Sequence, residues 1–385
     1  MPPTESLGIP ETDLIATGAV CTAREIAQQP RMLERAHALV SALHARLQAF
    51  VAPVTGNPRA RVILTGAGTS SYIGQCLAPL LDRSLAARVD AVPTTDIVSA
   101  PRLYLDADQP LLLVSFGRSG NSPESIAAME LAESLVADVR HLVVTCNPAG
   151  ALGSAPVATA MTLQLPEETH DASFAMTSSF SCMMYATLAA LGEAGAMDGR
   201  IGAIAQATQR AISGAHAPLG GLAACGYDRV AYLGSGVLQG LAREAALKLG
   251  ELTNGAVATC FDSPLGFRHG PKTFITARTL AMVFVSNDPL TRRYDHDLVD
   301  ELRRDGRAAR VIEVTAQPRR ADPDTIAVSG MAGAADVDLL WPFVVVAQLY
   351  AFEASRALGL SPDNPNTQGL VNRVVQGVRL YAPTA

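Results

Sequence analysis

Arg61-Val-Ile-Leu-Thr-Gly-Ala-Gly68 returns later in the chain as Arg229-Val-Ala-Tyr-Leu-Gly-Ser-Gly236. Each is a short apolar run that closes on G-x-G and leads into a stretch of helical character, the pattern of a buried strand feeding a helix. The first glycines, Gly66 and Gly234, stand 168 residues apart. The run Leu111–Ser115 recurs as Leu280–Val283 at nearly the same offset, and Leu142-Val-Val-Thr145 recurs as Ile312-Glu-Val-Thr315 at an offset of 170. Three strand-like segments in one order at one spacing indicate a duplicated α/β unit. Short apolar runs alternating with helical stretches predict, in each copy, a doubly wound parallel sheet with helices on both faces.

The chain has 385 residues, room for two such domains. The predicted boundaries are an N-terminal helical segment at 1–50, domains at 51–212 and 213–360, and a tail at 361–385. Within the first segment, Thr22-Ala-Arg-Glu25 has capping-box spacing and predicts a helix start. Pro30 interrupts that helix or opens the next, and residues 31–50 carry helical periodicity. Ser361-Pro-Asp-Asn-Pro-Asn366 is turn-forming.

Apolar residues make up 49% of the chain and aromatics only 5%, which suits α/β layers more than a β-sandwich. Net charge is −6 and no basic tract exists, which argues against a nucleic-acid groove. Six scattered cysteines without a CxxC pair argue against a zinc site and a disulfide framework, and predict a reducing cytoplasmic setting. No signal peptide is evident in residues 1–20, and no apolar stretch reaches about 18 residues, so no membrane span is expected. No His/Asp/Glu cluster has metal-ligand spacing, and the chemistry below needs no metal or organic cofactor.

In sheets of this kind ligands bind beyond the carboxyl ends of the strands. The third glycine of G-x-G-x-x-G is missing, with Ser71 and Gln239 in its place, which disfavours a dinucleotide. The strand Pro110–Ser115 instead runs into Phe116-Gly-Arg-Ser-Gly-Asn-Ser-Pro-Glu124 and a helical stretch. Small residues there let backbone N–H groups turn toward a ligand. Ser119 and Ser122 add hydroxyls, Arg118 adds charge, and a helix N-terminus favours an anion. The ordinary alternative is a Ser/Gly turn with an N-cap. Thr69-Ser70-Ser71 forms a second hydroxyl-rich loop at the same edge. Without a Walker lysine, the expected ligand is a sugar phosphate.

Of 30 basic residues only Lys248 and Lys272 are lysine. Between and beside them fall Glu244, Glu251, Arg268 and His269. On a helix over Leu238–Thr253, Glu244, Lys248 and Glu251 lie within about 60° of one another. Leu241, Leu247 and Leu252 flank them. A solvated i,i+4 pair is common on surface helices, but a charged stripe between leucines points to a cleft or subunit interface. His269 follows the strand Ala256–Phe261, in a loop stiffened by Gly270 and Pro271, where a general acid/base would be needed.

These residues resemble the sugar isomerase (SIS) superfamily over nearly the whole chain. Ser119-Gly-Asn121-Ser122 is similar to the SIS phosphate loop. Glu244-Ala-Ala-Leu-Lys-Leu-Gly-Glu251 and Arg268-His-Gly-Pro271 are similar to the catalytic helix and histidine loop of the isomerase half of glucosamine-6-phosphate synthase. The group most resembled is galactosamine-6-phosphate deaminase/tagatose-6-phosphate ketose–aldose isomerase. Its strings here are Thr22–Pro30, Thr169-His-Asp-Ala-Ser-Phe-Ala-Met-Thr-Ser178, Gly266–Lys272 and Val371-Asn-Arg-Val-Val-Gln-Gly377.

The resemblance implies flavodoxin-like αβα sandwiches. It implies that Glu251 shuttles a proton between C1 and C2 and that His269 opens the sugar ring. Lys248 would orient or polarise the substrate, and Ser119 and Ser122 would hold phosphate with Thr69, Ser70 and Ser173. In the synthase the histidine comes from a neighbouring subunit, so a homodimer or higher homo-oligomer is expected. Two departures favour releasing ammonia over fixing it. No glutaminase domain precedes the first repeat, and the synthase's imine-forming tail lysine is replaced by Gln376. The implied activity is conversion of D-galactosamine 6-phosphate to D-tagatose 6-phosphate and ammonia. Glucosamine 6-phosphate as substrate, simple aldose–ketose isomerisation and a non-catalytic sugar-phosphate sensor are the alternatives.

Overall fold

The computed structural model describes residues 5–192, 195–369, 371–375 and 377–381. The chain packs as two units. The first comprises Met32–Asp171, Ser178–Gly199 and the segment from Gly369 onward; the second comprises the chain up to Arg31, Ala172–Thr177 and Arg200–Gln368.

The first unit holds a five-stranded sheet of β1 (Arg61–Thr65), β2 (Arg88–Ala91), β3 (Leu111–Gly117), β4 (Val139–Thr145) and β5 (Ala160–Gln164). All pairings are parallel, in the order β2-β1-β3-β4-β5. Val62, Ile63, Leu64, Leu112, Leu113 and Val114 are all fully buried. Consecutive strand residues point to opposite faces, so both faces are covered. Ile63, Leu111, Leu113 and Val143 pack with Ala128, Met129, Ala132 and Val136 of the helix Pro123–Leu135. The helices Thr69–Ser84 and Ser178–Leu191 pack on each other and on the sheet.

The second unit holds β6 (Arg229–Gly234), β7 (Ala258–Asp262), β8 (Thr279–Phe284), β9 (Arg310–Thr315) and β10 (Thr325–Ala327). These are also parallel, in the order β10-β9-β8-β6-β7. Read from the β7 edge, this is again second, first, third, fourth, fifth, the order of flavodoxin-like sheets. The G-x-G turns match in detail. Gly68 has φ 56° and ψ −128°, and Gly236 has φ 57° and ψ −126°, a region L side chains avoid. A Cβ on Gly66 would come within 2.5 Å of Ser70, and one on Gly234 within 2.4 Å of the Leu238 carbonyl oxygen. Glycine therefore lets each helix start directly against its strand.

The N-terminal stretch forms the helices Glu11–Ala16, Val20–Ala27 and Gln29–Thr55, and Pro30 sits in the first turn of the last. The capping-box expectation fails. Thr22 and Glu25 lie inside the helix Val20–Ala27, whose free N-terminal donors Cys21 N and Thr22 N go to the Asp363 carboxylate at 2.9 and 2.7 Å. The expectation that no stretch is long enough to span a bilayer also needs correction. The 22-residue helix Asp336–Ala357 is long and apolar enough by composition, with mean hydropathy 1.4. Scattered polar residues such as Asp338, Gln348 and Glu353 hide it from a run-length reading. It packs against the helices Ile201–Ala223 and Val237–Leu252, with Trp341, Phe343 and Phe352 fully buried, and is the core helix of the second unit.

Candidate active site

In the first unit the strand order reverses between β1 and β3, and this switch point is where ligands enter such sheets. Beyond β1 the helix Thr69–Ser84 begins; Thr69, Ser70 and Ser71 are all buried. The Thr69 hydroxyl is buried without a hydrogen-bond partner, as are those of Thr65 and Ser115, register partners on β1 and β3. Beyond β3 the loop is braced from behind. Thr145 Oγ1 donates to the Gly117 carbonyl at 2.7 Å, and Asn147 Nδ2 donates to the Ser119 carbonyl at 2.7 Å. Asn121 is a brace of the same kind, its Oδ1 accepting from Ala151 N at 3.0 Å. Ser122 stands at the N-cap of Pro123–Leu135 and donates to Glu124 at 2.7 Å. The Arg118 guanidinium is buried and donates to the Arg373 carbonyl at 2.9 Å.

Ser173 belongs to the second unit. It is buried, and its backbone N–H and hydroxyl both donate to the Glu25 carboxylate, which also accepts from Ala172 N at 2.6 Å.

The second unit carries the charged stripe. Glu244 and Lys248 are 0% and 1% exposed at the side chain, which rules out a solvated surface pair. Lys248 Nζ lies 3.6 Å from Glu244 Oε1 and pairs with Glu251, whose side chain keeps 25% exposure. One ammonium thus faces two carboxylates, with Glu251 the member that reaches solvent. The apolar face of this helix (Leu238, Leu241, Ala245, Leu249 and Leu252) is fully buried and fixes its rotation.

His269 is exposed on the loop after β7. Ser263 caps the short turn Pro264–Phe267, and His269 N donates to the Gly266 carbonyl at 2.9 Å. Gly270, at φ 122°, takes a conformation closed to most side chains. On either side Arg268 and Lys272 are clamped by Glu301, with Lys272 also 2.5 Å from Asp305. Asp305 and Glu301 hold the Lys272 ammonium above its ordinary pKa, so it stays protonated and unsuited to imine formation. A cavity of about 320 Å³ lies beside this loop, lined by Arg268, Gly270, Lys272 and Arg307 among others. Gln376, expected at the place of the imine lysine, lies outside the described residues.

The switch point of the second sheet is filled by the protein itself. Asp295 accepts from Ser235 Oγ at 2.7 Å and Ser286 N at 2.9 Å. Asp336 accepts from Ser286 Oγ at 2.5 Å and Asn287 N at 2.7 Å.

The sequence left the roles of His170 and Asp171 open and gave Arg373 no role beyond its place in the 371–377 string. Asp171 accepts from Ser178 Oγ at 2.5 Å and from Ser179 N at 2.9 Å. Its carbonyl accepts from Arg373, 202 positions away, so no local spacing could have found the pair.

Two parallel five-stranded sheets of this order define a SIS-type fold, and the SIS domain model matches residues 57–192. The D-galactosamine-6-phosphate deaminase AgaS of Shewanella sp. strain ANA-3 is 44% identical over 379 residues, covering 94% of this chain and 92% of the relative. That of Escherichia coli is 44% identical over 380 residues, covering 96% and 98%. The crystal structure of tagatose-6-phosphate ketose/aldose isomerase from Escherichia coli superposes with a TM-score of 0.87 at 42% identity, over 95% of this chain and 97% of that one. The chain belongs to this AgaS group of the SIS family.

Proposed function

We propose that this chain is an isomerising deaminase that converts D-galactosamine 6-phosphate and water to D-tagatose 6-phosphate and ammonia. The observation that carries the reading is the buried Glu244–Lys248–Glu251 grouping, in a chain 44% identical to proteins named for this activity. Burying an ammonium and a carboxylate is costly in free energy, so such a grouping is weak support for stability and a candidate for function.

His269 assists ring opening to the aldehyde. Glu251, partly exposed and steadied by Lys248, takes the C2 proton and returns it to C1. Each such step asks for about 10²–10⁴-fold from a positioned group. The resulting C2 imine adds water and expels ammonia, leaving the ketose. The phosphate is held by Ser119, Ser122 and the backbone of their loop, with Thr69 and Ser70 from the neighbouring turn. Arg118 contributes charge. Two tandem domains at 51–212 and 213–360, a homodimer or higher homo-oligomer, and a cytoplasmic setting for the six scattered cysteines complete the reading.

Simple aldose–ketose isomerisation shares every step up to C1 protonation, and one relative's structure carries that name. A coupled ammonia assay on the 6-phosphates of galactosamine and glucosamine, with ketose measured in parallel, decides. Ammonia from galactosamine 6-phosphate is expected. Ketose formed only from unaminated aldose phosphates would make the chain an isomerase, and binding without turnover would make it a sensor.

A further inference from the structure

His170 lies at the carboxyl edge of the first sheet, just past the turn Glu167–Thr169 that leads off β5. The next residue is tightly fixed. The Asp171 carboxylate takes three donors from Ser178 and Ser179 at the start of the helix Ser178–Leu191. Its carbonyl accepts from Arg373, whose own carbonyl accepts from Arg118 at 2.9 Å. A chain of hydrogen bonds therefore runs from the loop after β3, through the tail at 373, to the turn that carries His170. In this setting His170 Nε2 is buried and has no hydrogen-bond partner. Buried polar atoms are nearly always paired, so a lone one beside a ligand loop marks a place for a ligand atom.

The chemistry of the ring narrows what that atom is. Burial first, then the charges of Arg373 and Arg118, push the imidazole below its ordinary pKa, outweighing Asp171 and Glu167. A ring depressed by burial and by the charges of two guanidiniums is a poor proton acceptor at neutral pH, because its cation would add a third positive charge. General acid/base work needs a pKa near the working pH. A neutral imidazole instead offers one hydrogen bond to an uncharged hydroxyl. Among the described residues no cluster of three or more His, Cys, Asp or Glu is placed to make it a metal ligand.

We propose that His170 Nε2 hydrogen-bonds the C4 hydroxyl of the sugar and makes His170 a specificity-determining residue. This rests on the reading that the loop after β3 holds the 6-phosphate. Of the hydroxyl-bearing carbons nearest that phosphate, C5 contributes the ring oxygen in the closed pyranose. C4 is the nearest to present a free hydroxyl in both the closed and the open sugar. C4 is also the centre at which galactosamine and glucosamine differ.

The test compares His170→Ala and His170→Gln on galactosamine 6-phosphate and its 4-deoxy analogue, with inhibition by inorganic phosphate measured for each protein. Glutamine keeps a neutral hydrogen-bonding group at similar reach. His170→Ala is expected to lower kcat/KM for the parent substrate on the order of 10- to 100-fold, and for the 4-deoxy analogue by less than about threefold. Glutamine should restore part of the loss, and phosphate inhibition should move by less than about threefold in both variants. Equal losses on the two substrates, or a matching loss of phosphate inhibition, overturn the proposal and make His170 a prop for Arg118. If the wild-type protein releases no ammonia from any hexosamine 6-phosphate, the functional reading has failed by itself. Calorimetry with galactose 6-phosphate and its 4-deoxy analogue then applies the same criterion: a selective loss supports His170, and an equal loss overturns it.

Discussion

Asp295 offers a sharp physical test because its environment is fully specified. It is buried, donates nothing, and accepts from Ser235 Oγ and Ser286 N. Burial drives its carboxyl up from the ordinary 3.8 to about 6; the hydrogen bonds from Ser286 and Ser235 oppose this, and the charge of Asp336 adds to it. The folded state therefore keeps a proton that the unfolded chain releases near pH 3.8. Stability from this group is fully present below pH 3.8, declines as pH rises, and is lost above about pH 6. At about 1.4 kcal/mol per pH unit, the loss across the window is about 3 kcal/mol. Asp295→Asn removes the titration with little change of shape. Its oxygen keeps the Ser286 N–H satisfied, and Ser235 can turn its hydroxyl to accept from the amide. Urea unfolding of both proteins from pH 4 to pH 7.5 should show the variant gaining about 2.5 kcal/mol relative to wild type, the rest of the loss lying below pH 4. Carbon NMR of the Asp295 carboxyl should give a midpoint near 6. A stability difference flat with pH, or a midpoint below 4, would refute the reasoning and show that the two hydrogen bonds outweigh desolvation.

Three further outcomes are expected. Glu251→Gln leaves Lys248 with Glu244 at 3.6 Å and removes the proposed base; kcat should fall about 100-fold or more with KM little changed, and activity within about threefold of wild type would remove Glu251 from the role. Ser119→Ala combined with Ser122→Ala should weaken binding of the sugar phosphate far more than that of the unphosphorylated sugar, whereas equal effects would place the phosphate elsewhere. If His269 completes a neighbour's site, co-refolded Glu251→Gln and His269→Asn proteins should regain up to about a quarter of wild-type activity, and mixed dimers that stay inactive would assign both residues to one chain.

What the sequence made legible was set by distance along the chain. The G-x-G strands could be read because the strand, the tight turn and the helix start lie within about a dozen residues. Their edges moved only slightly: Ala256–Phe261 became Ala258–Asp262, and Leu238–Thr253 became Val237–Leu252. The burial of Glu244 and Lys248 was legible because leucines flank them on the same helix. The start of the helix Val20–Ala27 was not, because its cap is Asp363, 342 residues from Cys21. Thr22 and Glu25 have capping-box spacing, yet tertiary partners claim both side chains, Asp363 for one and Ser173 for the other. The scarcity of lysine separated its two cases poorly. Lys248 is a compact buried charge between two carboxylates, whereas Lys272 forms ion pairs with Glu301 and Asp305 that arginine could also make.

The two switch points show why sheets of one topology do not imply two ligands. Both place a small-residue turn after the first strand and a helix start after the third. In the second unit the donors there, Ser235 Oγ, Ser286 N, Ser286 Oγ and Asn287 N, are already bound to Asp295 and Asp336. Those carboxylates do for that edge what an incoming anion would otherwise do. A second anion would have to displace them and meet their charge. In the first unit Ser122 is held by Glu124, but the Thr65, Thr69 and Ser115 hydroxyls are buried and, among the described residues, unpartnered. Buried hydroxyls without partners cost about 1–3 kcal/mol each. A bound ligand would offset that cost, which supports the proposal that the phosphate is held at the edge of the first sheet.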